Sequence, residues 1–111
     1  MTTSHNKLPQ MSDQIFLTDG GLETSLIFEK NIHLPEFAAF GLVESTSGQS
    51  VLKDYYADYL SIARDAGCGF ILESPTWRAN PDWGRKLGYD QDALRTANRE
   101  AIALMQSIRR T

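Results

Sequence analysis

One cysteine, Cys68, among 111 residues leaves no partner for an intrachain disulfide, which excludes the disulfide-dense secreted scaffolds and fits a reducing cytosol. It also leaves no set of thiolates from which a four-cysteine zinc site is assembled. The chain has two histidines, His5 and His33, each isolated from other metal-binding side chains, and neither is taken as a ligand. Long apolar runs are missing: nothing approaches the roughly 18 apolar residues of a membrane span, and Met1 to Gln14 lacks the apolar middle of a secretory signal. Neither sign of charge dominates. Lys and Arg number 11 and Asp and Glu 14, for a net charge of −3, too little of either kind for a nucleic-acid footprint or an acidic tail. A cytoplasmic protein without nucleic-acid or membrane partners is the expectation.

What is present is globular. Hydrophobic residues make up 41%, charged residues 23% and aromatics 10%, far from the corner of composition in which chains stay unfolded. The length allows one domain at most. Residues 1–13 are polar and aperiodic and read as a flexible leader, with residues 14–111 as the folded part.

Ile15-Phe16-Leu17 is a short continuous apolar run stopped by Thr18-Asp19-Gly20-Gly21, the pattern of a strand buried on both faces. From Leu22 to Gly48 the pattern is mixed and Pro35 interrupts it, so a long, partly ordered connection is expected. Val51, Leu52, Tyr55, Tyr59, Ile62, Ala63 and Ala66 then recur at helical spacing, with Ser50 as N-cap and Gly67 as terminator. A second apolar run, Gly69 to Glu73, follows at once and is closed by Ser74-Pro75. Asn80-Pro81-Asp82 is a helix-start signal, and Leu94, Ala97, Ala101, Met105 and Ile108 form one helical stripe that Asp90 can cap. Strand, connection, helix, strand, helix is the order of a parallel βαβ unit, and the fold class expected is α/β.

Such a unit collects polar groups at the C-terminal ends of its strands, where α/β folds bind ligands. Asp19 stands at the first of these ends, beside two glycines that let a ligand approach the backbone. The triplet is also the composition of an ordinary turn. Glu73, Ser74, Thr76, Trp77 and Arg78 follow the second strand, so two neighbouring strand ends would share one rim. The structural alternative pairs Glu73 with Arg78 or Arg64 and packs Trp77 on Trp83. Tyr55, Tyr56 and Tyr59 read as packing residues whose polar tips reach water.

Leu17-Thr18-Asp19-Gly20-Gly21-Leu22-Glu23-Thr24 followed by Ala66-Gly67-Cys68-Gly69-Phe70-Ile71-Leu72-Glu73-Ser74-Pro75-Thr76-Trp77-Arg78-Ala79 resembles the start of the homocysteine S-methyltransferase family, over roughly residues 15–110. The resemblance implies a (β/α)₈ TIM barrel, of which this chain would supply an N-terminal fragment of about two βα units, since such a barrel takes about 250 residues. It implies methyl transfer to the thiol of homocysteine to give methionine, from a separate methyl donor, with zinc holding the thiol as the nucleophilic thiolate. Carried over residue by residue, Asp19 would bind the substrate ammonium, Gly20 and Gly21 would lie beside its carboxylate, and Thr76 would line the same pocket. Glu23, Glu73 and Trp77 would stand behind them. The family's zinc cysteines lie on later strands and have no counterpart here, so the chain is expected to be inactive alone. Cys68, at the start of the second strand, does not replace them. Two alternatives stand beside this reading: a non-catalytic binding or assembly module that self-associates through open strand edges, or a different TIM-barrel enzyme.

Overall fold

The computed structural model describes Leu8 and residues 11–110. Most of the leader expected over 1–13 lies outside the described residues; Leu8 and Met11 to Asp13 are exposed.

Strand β1 (Phe16–Thr18) leads through Asp19-Gly20-Gly21 into helix α1 (Leu22–Thr24), which runs on as a π turn over Ser25–Glu29. Two 3₁₀ turns follow, Pro35–Phe37 and Phe40–Glu44. Helix α2 (Thr46–Ala66) starts at Ser45, whose Oγ accepts from the Gly48 N–H at 2.9 Å. It ends where Gly67 takes the left-handed conformation, φ 70°. There the Gly67 N–H bonds the Arg64 carbonyl and the Cys68 N–H bonds that of Ala63, so the last turn's free carbonyls are satisfied. Strand β2 (Gly69–Ile71) comes next, then α3 (Pro81–Lys86), capped by Asn80, and α4 (Gln91–Arg109), capped by Asp90. The Asp90 carboxylate accepts from the Ala93 N–H at 2.7 Å, and Asp92 adds negative charge in the first turn.

The core lies between α2, α4 and the Phe40–Glu44 turn, which packs against both helices. Leu52 and Tyr56 of α2 and Ala101 of α4 are completely buried, and Phe40 and Val43 nearly so. The stripe Leu94, Ala97, Ala101, Met105 and Ile108 is the buried face of α4. On α2 the buried face is shorter than its apolar spacing suggests, since Ile62 is 58% exposed. Its N-cap is Ser45, five residues before the serine that the sequence pattern offers.

The expectation of an α/β TIM-barrel fragment of two βα units is corrected here. Of the described residues 62% are in helices and helical turns, and their only sheet has two strands of three residues each. Neither strand has a fully buried residue, whereas a strand of a parallel barrel is covered on both faces. The physical reason is that short apolar runs do not distinguish a central strand from a brief extended segment. The residues expected as a long, partly ordered connection form helical turns that, with α2 and α4, make up the core. What holds from the βαβ reading is the pairing itself. The strands run parallel, in the register Phe16 to Gly69, Leu17 to Phe70 and Thr18 to Ile71. Among the described residues no helix is long and apolar enough to cross a membrane.

Candidate functional site

The parallel register brings both chains out at the same end of the sheet, Asp19 directly after β1 and Leu72-Glu73 directly after β2. Two adjacent side chains on α2 tie these ends down. The Tyr55 hydroxyl donates to Asp19 Oδ2 at 2.7 Å and leans on the Gly20 carbonyl at 3.4 Å. The Tyr56 hydroxyl donates to the Glu73 carbonyl at 2.7 Å. Their rings meet edge to face, with centroids 5.2 Å apart. One turn on, Tyr59 packs 5.2 Å from Tyr55, and its hydroxyl lies so close to Gly20 that a Cβ there would sit 3.1 Å from it. Tyr55 and Tyr59 thus flank the exit of β1, and Tyr56 holds the exit of β2.

The rim is acidic. Burial, and after it the hydrogen bond the phenol donates to Asp19 and the charge of that carboxylate, push Tyr55 far above its ordinary value. Burial also raises Tyr56, and the charges of Asp19, Glu23 and Glu73 add to the effect. Both hydroxyls therefore stay protonated and act as donors at neutral pH. Asp19 as a residue is half-buried, yet its Oδ1 is a buried atom without a hydrogen-bond partner. An unsatisfied acceptor of this kind costs about 1–3 kcal/mol, and more when charged. A donor brought by a ligand removes that cost.

The structure gathers Asp19, Gly20, Glu23 and Glu73 around Tyr55 and Tyr56. Gly21 serves a backbone role: it precedes α1 with an ordinary φ of −82°, and its carbonyl accepts from the Ser25 N–H. Thr76 turns to its neighbour, its hydroxyl 2.7 Å from that of Ser74. Trp77, 63% exposed, belongs to a separate cluster. There the Arg78 guanidinium lies 3.8 Å from the Trp83 ring centroid and 4.5 Å from that of Trp77, while its Nη1 donates to the Glu36 carbonyl at 3.0 Å. The two indoles thus grip a cation, and Arg78 is turned to Glu36 rather than to Glu73. Sequence pattern alone makes Tyr55 and Tyr56 packing residues with tips in water, whereas in the fold their hydroxyls bond Asp19 and the Glu73 carbonyl. The overlooked signal is two consecutive tyrosines on the helix that joins two strands, each of which ends in a carboxylate residue.

The donors present do not fit a zinc ion. Among the described residues no group of three or more His, Cys, Asp or Glu is arranged to hold a metal. Cys68 stands at the start of β2, at the opposite end of the strands from Asp19, with its Sγ 3.7 Å from the Ala66 carbonyl.

The buried phenols predict an alkaline limit to stability. Tyr55, Tyr56 and Tyr89, the last raised by burial and its bond to Glu44, keep their protons in the fold at pH values where a free phenol has lost its own, above about 10. The unfolded chain then binds fewer protons than the native one, so stability is full below that pH and falls as pH rises through it. Urea midpoints at pH 9, 10 and 11 measure the slope. Tyr56→Phe should flatten it by about one proton, and an unchanged slope would contradict the assignment.

No family model, curated protein or solved structure matches this chain.

Proposed function

We propose that the Asp19 rim recognises a small α-amino acid through its ammonium group, and that the amino acid is homocysteine. The observation that carries this reading is the Asp19 carboxylate at the end of a parallel strand, one oxygen held by Tyr55 and the other without a partner. A primary ammonium brings three donors and a positive charge to an oxygen that has neither. The charges of Glu23 and Glu73 reach the neighbouring Tyr56 and keep this rim negative. Homocysteine, rather than another amino acid, follows from the resemblance of the two strand-end motifs to the homocysteine S-methyltransferase family. In that resemblance Gly20, Gly21 and Thr76 lie near the substrate.

What this chain supplies is recognition of the amino acid. Among the described residues no donor set fits the zinc that activates the thiol in the family it resembles, and no methyl-transfer step is assigned to the chain. The single thiol of Cys68 suits a protein kept in the cytosol.

Calorimetric titration of the purified chain with homocysteine tests the proposal. Saturable binding is expected, with a loss of roughly 10- to 100-fold in Asp19→Asn, the worth of one charge-assisted hydrogen bond. The analogue in which the amino group is replaced by hydrogen should not bind. Equal binding of that analogue, or full affinity in Asp19→Asn, would overturn the reading.

A further inference from the structure

We propose that the cavity between the 33–44 segment and the turn joining α3 to α4 is a second binding site, which takes a small organic cation with an apolar body, an arylalkylamine in its simplest form. The cavity measures about 350 Å³. An apolar cavity of about 150 Å³ already holds benzene, so one ring and a short chain fit here. Its walls are apolar: Leu34, Phe40, Leu42 and Leu87.

One end is different. Glu44 and Tyr89 also line the cavity, and the Tyr89 hydroxyl donates to Glu44 Oε1 at 2.6 Å. Tyr89 in turn packs edge-on against Phe40, with centroids 5.0 Å apart. A carboxylate oriented by a phenol at one end of an apolar cavity is a combination that selects a cation over an anion or a neutral group. The phenol keeps its proton and spends it on one carboxylate oxygen, so the charge of Glu44 stays available to the ligand. His33 is the other titratable side chain in the lining, and neither lysine nor arginine contributes to it. Apolar walls with a few convergent polar groups are the usual make-up of a small-molecule site.

The 31–38 segment, which supplies part of the lining, is unusual in its backbone. Asn31, Glu36 and Phe37 all have positive φ, at 56°, 52° and 59°. Left-handed conformations in non-glycine residues are costly and gather at ligand clamps. Leu34 and Pro35, which line the cavity, sit within this strained stretch, and Ala38 follows it.

Benzylamine is the probe, followed by amide chemical shifts of the full chain at pH 8. Saturable shifts centred on residues 33–44 and 87–89 are expected in the millimolar range. Benzyl alcohol should bind at least about tenfold more weakly, as should benzylamine to Glu44→Gln. Leu87→Trp, which fills the cavity, should abolish the shifts, while Asp19→Asn should leave them unchanged. Benzoate or benzyl alcohol binding as well as benzylamine, or full affinity in Glu44→Gln, would overturn the proposal. So would loss of the shifts in Asp19→Asn, which would move the amine to the other rim. Because the two sites share no residue, failure here leaves the homocysteine reading standing, and the reverse is equally true.

Discussion

Gly48→Ala lowers the stability of this protein by about 3 kcal/mol, against the usual direction of that exchange in a helix. Alanine is ordinarily better than glycine in a helix by about 1 kcal/mol. Gly48, however, lies in the first turn of α2, where the helix touches the backbone of the Phe40–Glu44 turn. A Cβ there would overlap the Leu42 carbonyl oxygen and come within 2.9 Å of the carbonyl carbon and the Cα. No side-chain rotation relieves the clash, because every atom met is main chain. The helix must shift away, which loosens Phe40 and Val43 in the core and disturbs the bond from the Gly48 N–H to Ser45. A domain of this size loses roughly 4–8 °C in Tm per kcal/mol, so a fall of about 10–20 °C is expected in thermal unfolding followed by circular dichroism. Gly21→Ala is the control: its added Cβ meets only Thr24, at an ordinary 3.5 Å, and the backbone there suits any residue. Equal effects of the two substitutions would refute the close approach.

Tyr56→Ala is expected to cost still more, about 3–5 kcal/mol, close to the whole stability of a small domain. Tyr56 is completely buried, and its loss opens a cavity in the middle of the core. The hydroxyl carries a separable share. Tyr56→Phe keeps the ring and removes only the donor to Glu73, which leaves that carbonyl short of a partner and costs about 1–2 kcal/mol. The two variants thus divide packing from tethering, and urea unfolding measures both. The phenylalanine variant also bears on function. It frees the chain after β2 without touching Asp19, so homocysteine affinity should fall less than in Asp19→Asn. A Phe variant as stable as the parent would show that the hydroxyl does not hold the strand end.

What the sequence discloses is local. The Gly67 stop, the caps at Asn80 and Asp90 and the buried stripe of α4 all rest on neighbours within a few residues, and such features are legible one turn at a time. The start of α2 was not, because Ser45 and Ser50 are equal as residues and Ser45 is selected by where the preceding turn leaves the chain. The segment from Leu22 to Glu44 hid its structure for a related reason. Leu26, Phe40 and Val43 are buried by π and 3₁₀ turns too short to repeat a period. The barrel expectation failed because two apolar runs of strand-like composition say nothing about how many further strands stand beside them. At the candidate site, Asp19 was visible as a carboxylate after an apolar run. Its partner Tyr55 lies 36 residues away, and Tyr56 lies 17 from the carbonyl it holds; only the folded chain shows such links. Thr76 was placed in the pocket by motif, whereas its hydroxyl is turned to Ser74.

The grip on Arg78 carries an optical consequence. Trp77 and Trp83 are the chain's two tryptophans, and both lie against the same guanidinium, which also holds the Glu36 carbonyl at the crest of the strained stretch. The intrinsic fluorescence of this protein therefore reports on one fastening at its surface and not on the core beneath. Light emitted at the indole wavelength registers whether the 31–37 segment is latched, even while the helices keep their circular dichroism.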